Sequence, residues 1–396
     1  MRSILTSAVL STGILFGAVS IASAAEPVEK SGNVYHVAVC PRFIPEGQAR
    51  CLAHVVTDSA GHPLTSEAKP NNLPSGYGPA QLTSAYNITT QGSSSTIVAI
   101  VDAYGYPNAE TDLGTYRSTY GLPACTTANG CFAKYNQKGK TNKYPTFNVG
   151  WAQETALDLD MASAMCPGCK IILVEADKPS YKDLGAAENT AAALGAHVIS
   201  NSYSGGEKSS GPFEPDYNHA GVAITAAAGD SGYGIGFPAT SPHVIAVGGT
   251  HLVTSNTPRG WTETVWTGTG SGCSTVYPKP TWQTDTACKM RMATDTSAVA
   301  DPATGVAVRA PTNGGGTAWL VFGGTSVATP LVGGIFGNNG GTVNYASSIY
   351  ANPSALYDVT SGSNGTCPAK KAYYCNAEVG YDGPTGLGTP NGTTAF

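Results

Sequence analysis

The chain is 396 residues long, carries a net charge of −5 and is only 12% charged. That balance leaves no basic patch for nucleic acid, and beyond the first 24 residues there is no run of the roughly 18 apolar residues that a membrane anchor needs. Ten cysteines among 49 glycines and 26 prolines point to an exported, turn-rich protein held by disulfides rather than to metal-binding thiols.

In chain order, the opening MRSILTSAVLSTGILFGAVSIASAA joins Arg2, an apolar run and the small-residue ending Ala22-Ser23-Ala24. These are the three parts of a secretory signal peptide, residues 1–24, and they imply an extracellular or periplasmic destination. Residues 25–75 carry Pro, Lys and Glu, the pair Cys40 and Cys51, and little periodicity. They read as a short leader or pro-segment, the alternative being an extension packed on the domain. From GYGPAQLTSAYNI at 76–88 the chain continues to residue 396 without a long linker or repeat, which suits one large domain.

Within that domain, apolar runs alternate with helical stretches. STIVAIVDAY (95–104), KIILVEA (170–176), AHVISNSYS (196–204), VAITAAAGDSG (222–232) and VIAVGGT (244–250) read as strands. Helices are expected near 109–120, 152–166, 180–194 and 213–220. Apolar strands separated by helices predict an α/β domain around a mainly parallel sheet buried on both faces. In such sheets ligands gather at the C-terminal strand ends, where Asp102, Ser202 and Asp230 fall. The cysteines form five close pairs: Cys40/Cys51, Cys125/Cys131, Cys166/Cys169, Cys273/Cys288 and Cys367/Cys375. Neighbour pairing is the simplest connectivity. Cys166-Pro-Gly-Cys169 admits a redox or half-zinc reading but lacks a second ligand pair, so a structural disulfide is expected.

In WAQETALDLDMASAMCPGC (151–169), the helix expected at 152–166 places Glu154 and Asp158 four residues apart, one above the other on a single face. Met161, Ala162 and Met165 share that face, whereas Asp160 is expected to point away. Two inward carboxyls disfavour each other's ionisation and tend to share a proton. The plain alternative is a pair of acids each satisfied by backbone or by Lys and Arg. Further on, FGGTSVATPLVGGIFG (322–337) puts Ser326 at the start of a small-residue helix, where the positive dipole end favours a nucleophile. A serine needs a base. Among the seven histidines, His36, His54 and His62 precede the domain, and His197 and His243 read as structural, so the base must be something else.

These elements together resemble the sedolisin family of serine-carboxyl peptidases, which share the subtilisin fold. The resemblance rests on Gly-Thr-Ser-x-x-x-Pro around Ser326, Glu154-x-x-x-Asp158 and AAAGDSGYG around Asp230, and runs over residues 76–394. It implies a three-layer α/β sandwich, with Ser326 as nucleophile, Glu154 as general base, Asp158 orienting Glu154, and Asp230 as the oxyanion-hole side chain. It also implies a Ca²⁺ site at the C-terminus, in YDVTSGSNG (357–365) and AEVGYDGPTGLG (377–388). Asp358, the carbonyls of Val359 and Gly380, and Asp382 hold the matching positions, while Glu378 stands where a glycine is expected. Family members usually carry a large prodomain, and here only about 50 residues separate the signal from the domain. A Ser-His-Asp arrangement built on Asp102 lacks a suitable histidine, leaving Asp102 as a strand-end residue near the site. The expected partners are protein or peptide substrates, acting on a monomer. The competing readings are a catalytically silent peptide- or surface-binding protein on the same fold and a calcium-stiffened adhesion protein.

Overall fold

The computed structural model describes residues 26–69, 72–340 and 343–396. The signal-peptide reading of residues 1–24 lies outside them.

The first described residues form β1 (Glu29–Ser31), β2 (Val34–Ala38), β3 (Arg50–Cys51), β4 (His54–Thr57) and β5 (Thr65–Ser66), followed by helix α1 (Pro79–Ala85). The central elements are β6 (Ile97–Ala103), α2 (Ala109–Thr119), β7 (Phe132–Asn136), α3 (Val149–Met165), β8 (Lys170–Ala176), α4 (Tyr181–Ala193), β9 (Val198–Asn201), β10 (Tyr203–Ser204) and β11 (Ala223–Ala227). Then come β12 (Ile245–Thr254), β13 (Trp261–Val265), β14 (Gly272–Pro278), β15 (Met290–Ala293), β16 (Thr296–Val299), β17 (Val306–Pro311), β18 (Thr317–Gly323) and α5 (Thr325–Asn339).

An eight-stranded sheet in the order β13-β12-β11-β9-β6-β8-β7, with β16 also on β12, forms the middle layer. Every pairing in it is parallel except β12 with β13. The alternation of strand side chains explains the layers. Val98 and Ile100 of β6 join the core with α3 and α5, whereas Ala99 and Val101 join the core with Leu184, Ala187 and Ala191 of α4. The expected α/β sandwich is therefore present. Helices α3 and α5 pack directly on each other and on β6. Gly334 permits this approach, since a Cβ there would sit 2.7 Å from Met165 Cβ. The side chain of Asn148 caps α3, accepting from Trp151 N at 3.1 Å.

One expectation is corrected. The segment near 213–220 is not an α-helix but a 3₁₀ stretch, Gly211–Tyr217, because Pro212 and Pro215 remove backbone donors. Helix α3 is buried from Gly150 to Met165, Asp160 included, whose carboxyl accepts Arg309 N at 3.0 Å. All five cysteine pairs bond to their neighbours, with Cys166 bonded to Cys169 in the disulfide expected there. Among the described residues no helix is long and apolar enough to cross a membrane.

The N-terminal residues are built into a second sheet. It is six-stranded and antiparallel, in the order β1-β2-β4-β18-β17, with β5 also on β18. The strand leading to Ser326 is thus paired with residues 54–55.

Beneath the C-terminal loops, Arg291 and Asp295 form a fully buried ion pair, Nη1 to Oδ1 at 2.7 Å, and Asp295 also accepts Ala246 N at 2.8 Å. Asp295→Ala leaves a guanidinium without its counter-charge, and we expect a loss of about 3–5 kcal/mol of stability, read from the urea midpoint.

Candidate active site

At the end of β18 the backbone turns through Gly323-Gly324 into α5. Gly324 has φ +103°, and a Cβ on it would come within 2.1 Å of the Leu52 carbonyl oxygen and 2.7 Å of Asp230 Oδ2, so only glycine fits. Ser326 is the second residue of the helix and is buried; its hydroxyl donates to the Ser202 carbonyl at 3.3 Å.

Three carboxyls stand beside it, all with 0% exposure: Glu154 and Asp158 on successive turns of α3, and Asp102 near the end of β6. Burial pushes the Glu154 carboxyl well up, and Asp102 adds to this, while the Ser326 hydroxyl and the Ala53 N–H oppose it. Burial likewise raises Asp158, with Asp102 and Glu154 acting in the same sense and the Ser202 hydroxyl against. Asp102 is pushed up to about 7, chiefly by burial. Glu154 Oε2 accepts the backbone N–H groups of Leu52 and Ala53, each at 2.8 Å. Glu154 Oε1 and both oxygens of Asp158 and Asp102 have no hydrogen-bond partner among the described residues. The cluster is therefore not a set of separately satisfied acids. Each of these adjacent buried carboxyls disfavours ionisation of its neighbours.

Asp230 follows β11 and faces the same helix start. Its Oδ1 accepts Thr325 N at 2.9 Å and Thr325 Oγ1 at 2.6 Å, which fixes the carboxyl and leaves Oδ2 without a hydrogen bond. Burial pushes it up to about 7, against the pull of the Thr325 donors. A carboxyl held protonated near neutrality is a hydrogen-bond donor, the form an oxyanion requires. A cavity of about 320 Å³ opens beside it, bordered by Arg50, Leu52, Ser204, Ala228 and Gly229.

The structure thus gathers Ser326, Glu154, Asp158, Asp230 and Asp102 at the C-terminal ends of the parallel strands. Asp358, Val359, Gly380 and Asp382 lie apart, in the C-terminal loops. Gly380 N donates to Asp358 Oδ2 at 2.9 Å, and the buried Asp382 accepts Glu378 N at 3.1 Å and Thr385 N at 2.8 Å. Two features escaped the sequence reading. His54, set aside with the N-terminal segment, lies on β4 with its Nε2 3.5 Å from Asp230 Oδ2, and burial holds its pKa well below the ordinary imidazole range. The Leu52-Ala53 backbone meets Glu154 directly, and only the Cys40/Cys51 pair marked that neighbourhood in the sequence.

The model of the Subtilase family matches residues 140–339. Kumamolisin from Bacillus sp. (strain MN-32) is 33% identical over 362 residues, covering 81% of this chain and 63% of its own length. Sedolisin from Pseudomonas sp. (strain 101) is 35% identical over 180 residues, 40% of this chain and 29% of its own. The chain thus spans less than two thirds of the length of these curated relatives. Among solved structures, Pseudomonas sedolisin, a serine-carboxyl proteinase complexed with two molecules of pseudo-iodotyrostatin, superposes with a TM-score of 0.67 at 26% identity. That match covers 82% of this chain and 96% of the other.

Proposed function

Because the chain belongs to the sedolisin family of subtilases, we propose that it is an exported, acid-acting serine-carboxyl peptidase that hydrolyses protein or peptide substrates as a monomer. The observation that carries this is a set of three buried carboxyls, Glu154, Asp158 and Asp102, of which Glu154 meets the hydroxyl of Ser326.

In this reading the Ser326 oxygen attacks the substrate carbonyl carbon while Glu154, ionised, takes the hydroxyl proton. Asp158 is a positioning residue: a proton shared with Glu154 holds that carboxyl in place and tunes when it ionises. Asp230 donates from its free oxygen to the developing oxyanion, next to the start of α5. Glu154 then returns the proton to the leaving nitrogen, and the ester on Ser326 is hydrolysed by water through the same groups in reverse. Asp102 touches neither nucleophile nor oxyanion and acts through the other two acids. The test is hydrolysis of an unfolded protein from about pH 3 to about pH 8. A bell with its maximum in acid supports the assignment, and a maximum at about pH 8 rejects it. Five disulfides suit an oxidising compartment, which favours export.

The proposal extends to Ca²⁺ at Asp358, Val359, Gly380 and Asp382. What supports it is the donor chemistry: the Asp358 carboxylate reaches the segment 378–382, which itself carries Asp382, and hard oxygens of this kind suit that ion. The ion would hold the C-terminal loops together and take no part in the peptide chemistry. A chelator is expected to lower the thermal midpoint; Ca²⁺ at 100 times its Kd is worth about 2.7 kcal/mol. Asp358 is exposed, so Asp358→Ala should fold and should lose the Ca²⁺-dependent shift.

A further inference from the structure

We propose that Glu29, His36 and His54 form a Zn²⁺ site in the N-terminal sheet, beside the carboxyl of Asp230. The site stands on geometry and donor chemistry and is independent of the peptidase reading.

Strand pairing brings the three side chains to one face. Glu29 of β1 lies directly opposite His36 of β2. His36 in turn lies opposite Val56 of β4, and His54 stands two residues before Val56, so it shares the face of His36. The Nδ1 atoms of the two imidazoles are 3.0 Å apart, and Glu29 Oε2 is 3.9 Å from Nδ1 of His36 and 3.7 Å from Nδ1 of His54. The point equidistant from these three atoms lies about 2.1 Å from each, the length of a bond from zinc to an imidazole nitrogen or a carboxylate oxygen. A hydrogen bond between the imidazoles accounts for the shortest of the three separations. It does not account for a carboxylate oxygen that stands off both nitrogens, beyond hydrogen-bond range of either.

Two imidazoles and a carboxylate are a donor set that zinc takes when a further position stays open to water. Nitrogen donors disfavour the hard ions Ca²⁺ and Mg²⁺. A cavity of about 400 Å³, bordered by Glu29, His36, Arg42, Asp230 and Trp266, gives the ion a route in and that water a place. Both histidines are buried, and burial lowers their pKa values, which favours the uncharged imidazole that a metal needs. Arg42 competes for Glu29 Oε2 through its Nη2. Its Nε also lies 3.8 Å from Glu26 Oε2, so the guanidinium keeps a carboxylate partner when the ion takes Glu29.

The second ring nitrogen of His54 completes the arrangement. With Nδ1 on the metal, Nε2 carries the proton, and it stands 3.5 Å from Asp230 Oδ2; neither atom has a hydrogen-bond partner among the described residues. A metal-bound imidazole that presents its other N–H to a carboxylate is the usual outer support of such sites. Zinc therefore fixes the His54 tautomer and ties β1, β2 and β4 to Asp230.

The test is to titrate the full chain with Co²⁺ and then Zn²⁺ at neutral pH, in buffer saturating in Ca²⁺, following visible absorption, bound metal and the thermal midpoint. The expected result is one Co²⁺ per chain with a visible absorption band, bleached by an equivalent of Zn²⁺, and a rise in the midpoint. Glu29→Ala, at a partly exposed position, is expected to weaken Zn²⁺ binding by more than about 100-fold, and Asp230→Asn, which keeps an acceptor without the charge, by about 10-fold. His62→Ala removes an exposed histidine beside Asp58 and is expected to leave the titration unchanged. If Glu29→Ala and His36→Gln, both folded by circular dichroism, bind Zn²⁺ as the wild type does, the ion sits elsewhere and the inference is overturned. A wild type that takes up neither metal, and whose midpoint Zn²⁺ does not move, overturns it as well. No readout depends on hydrolysis, so failure here leaves the peptidase reading standing.

Discussion

Ser326→Ala is expected to reduce peptide hydrolysis by about 10⁶-fold, and Glu154→Gln by at least about 10⁴-fold, because nucleophile and base act as a unit. Glutamine keeps the shape of Glu154 and can still accept the Leu52 and Ala53 N–H groups through its carbonyl oxygen, but it cannot take a proton. The two substitutions should separate in stability. Ser326→Ala removes one weak hydrogen bond. Glu154→Gln removes one of three adjacent buried carboxyls whose ionised forms burial and mutual repulsion disfavour. At neutral pH that variant is therefore expected to melt higher than the wild type, the trade of stability for activity that catalytic groups commonly show. If Glu154→Gln hydrolyses substrate within about tenfold of wild type, the base lies elsewhere. If it is inactive and also unfolded, Glu154→Asp, which keeps the charge on a shorter arm, distinguishes a lost base from a lost fold.

How far the sequence reached depended on whether the signal was local. Strands β6 and β8 were legible because each is built on a continuous apolar stretch, Ile97 to Val101 and Ile171 to Val174, and β8 occupies Lys170–Ala176 as expected. The acid pair was legible because four-residue spacing on a helix fixes contact whatever the surroundings. The burial of Asp160 was not, since it depends on the packing of Arg309 about α3. Nor was the place of His54. Its strand has four residues, and its register with Gly323 on β18 joins parts of the chain far apart in sequence, with no periodicity to announce it. The role of Asp230 came from resemblance alone, since a Gly-Asp after an apolar strand is common. What the coordinates add is its fixed Oδ1 and free Oδ2.

That geometry makes Asp230 the most informative residue for the pH profile. Its carboxyl can donate only while protonated, and burial holds it up to about 7. In the proposed mechanism, oxyanion stabilisation is therefore expected in acid and expected to be lost as pH rises through about 7. The acid limb has the opposite origin: Glu154 must be free of its proton, so activity falls once the carboxyl cluster is fully protonated. Asp230→Ala removes the donor and is expected to lower kcat by about 10²–10³-fold with KM little changed. Asp230→Asn retains an N–H donor that does not titrate. It should keep more activity than the alanine variant and carry the alkaline limb upward, overtaking the wild type above about pH 7. Stability follows the same sign. A carboxyl raised from its ordinary value of about 3.9 contributes fully below that value, and the contribution is lost as pH rises through about 7. Asp230→Asn should accordingly gain thermal stability on the wild type between those limits. A variant whose alkaline limb coincides with that of the wild type would show that another group, and not Asp230, supplies the proton at the oxyanion.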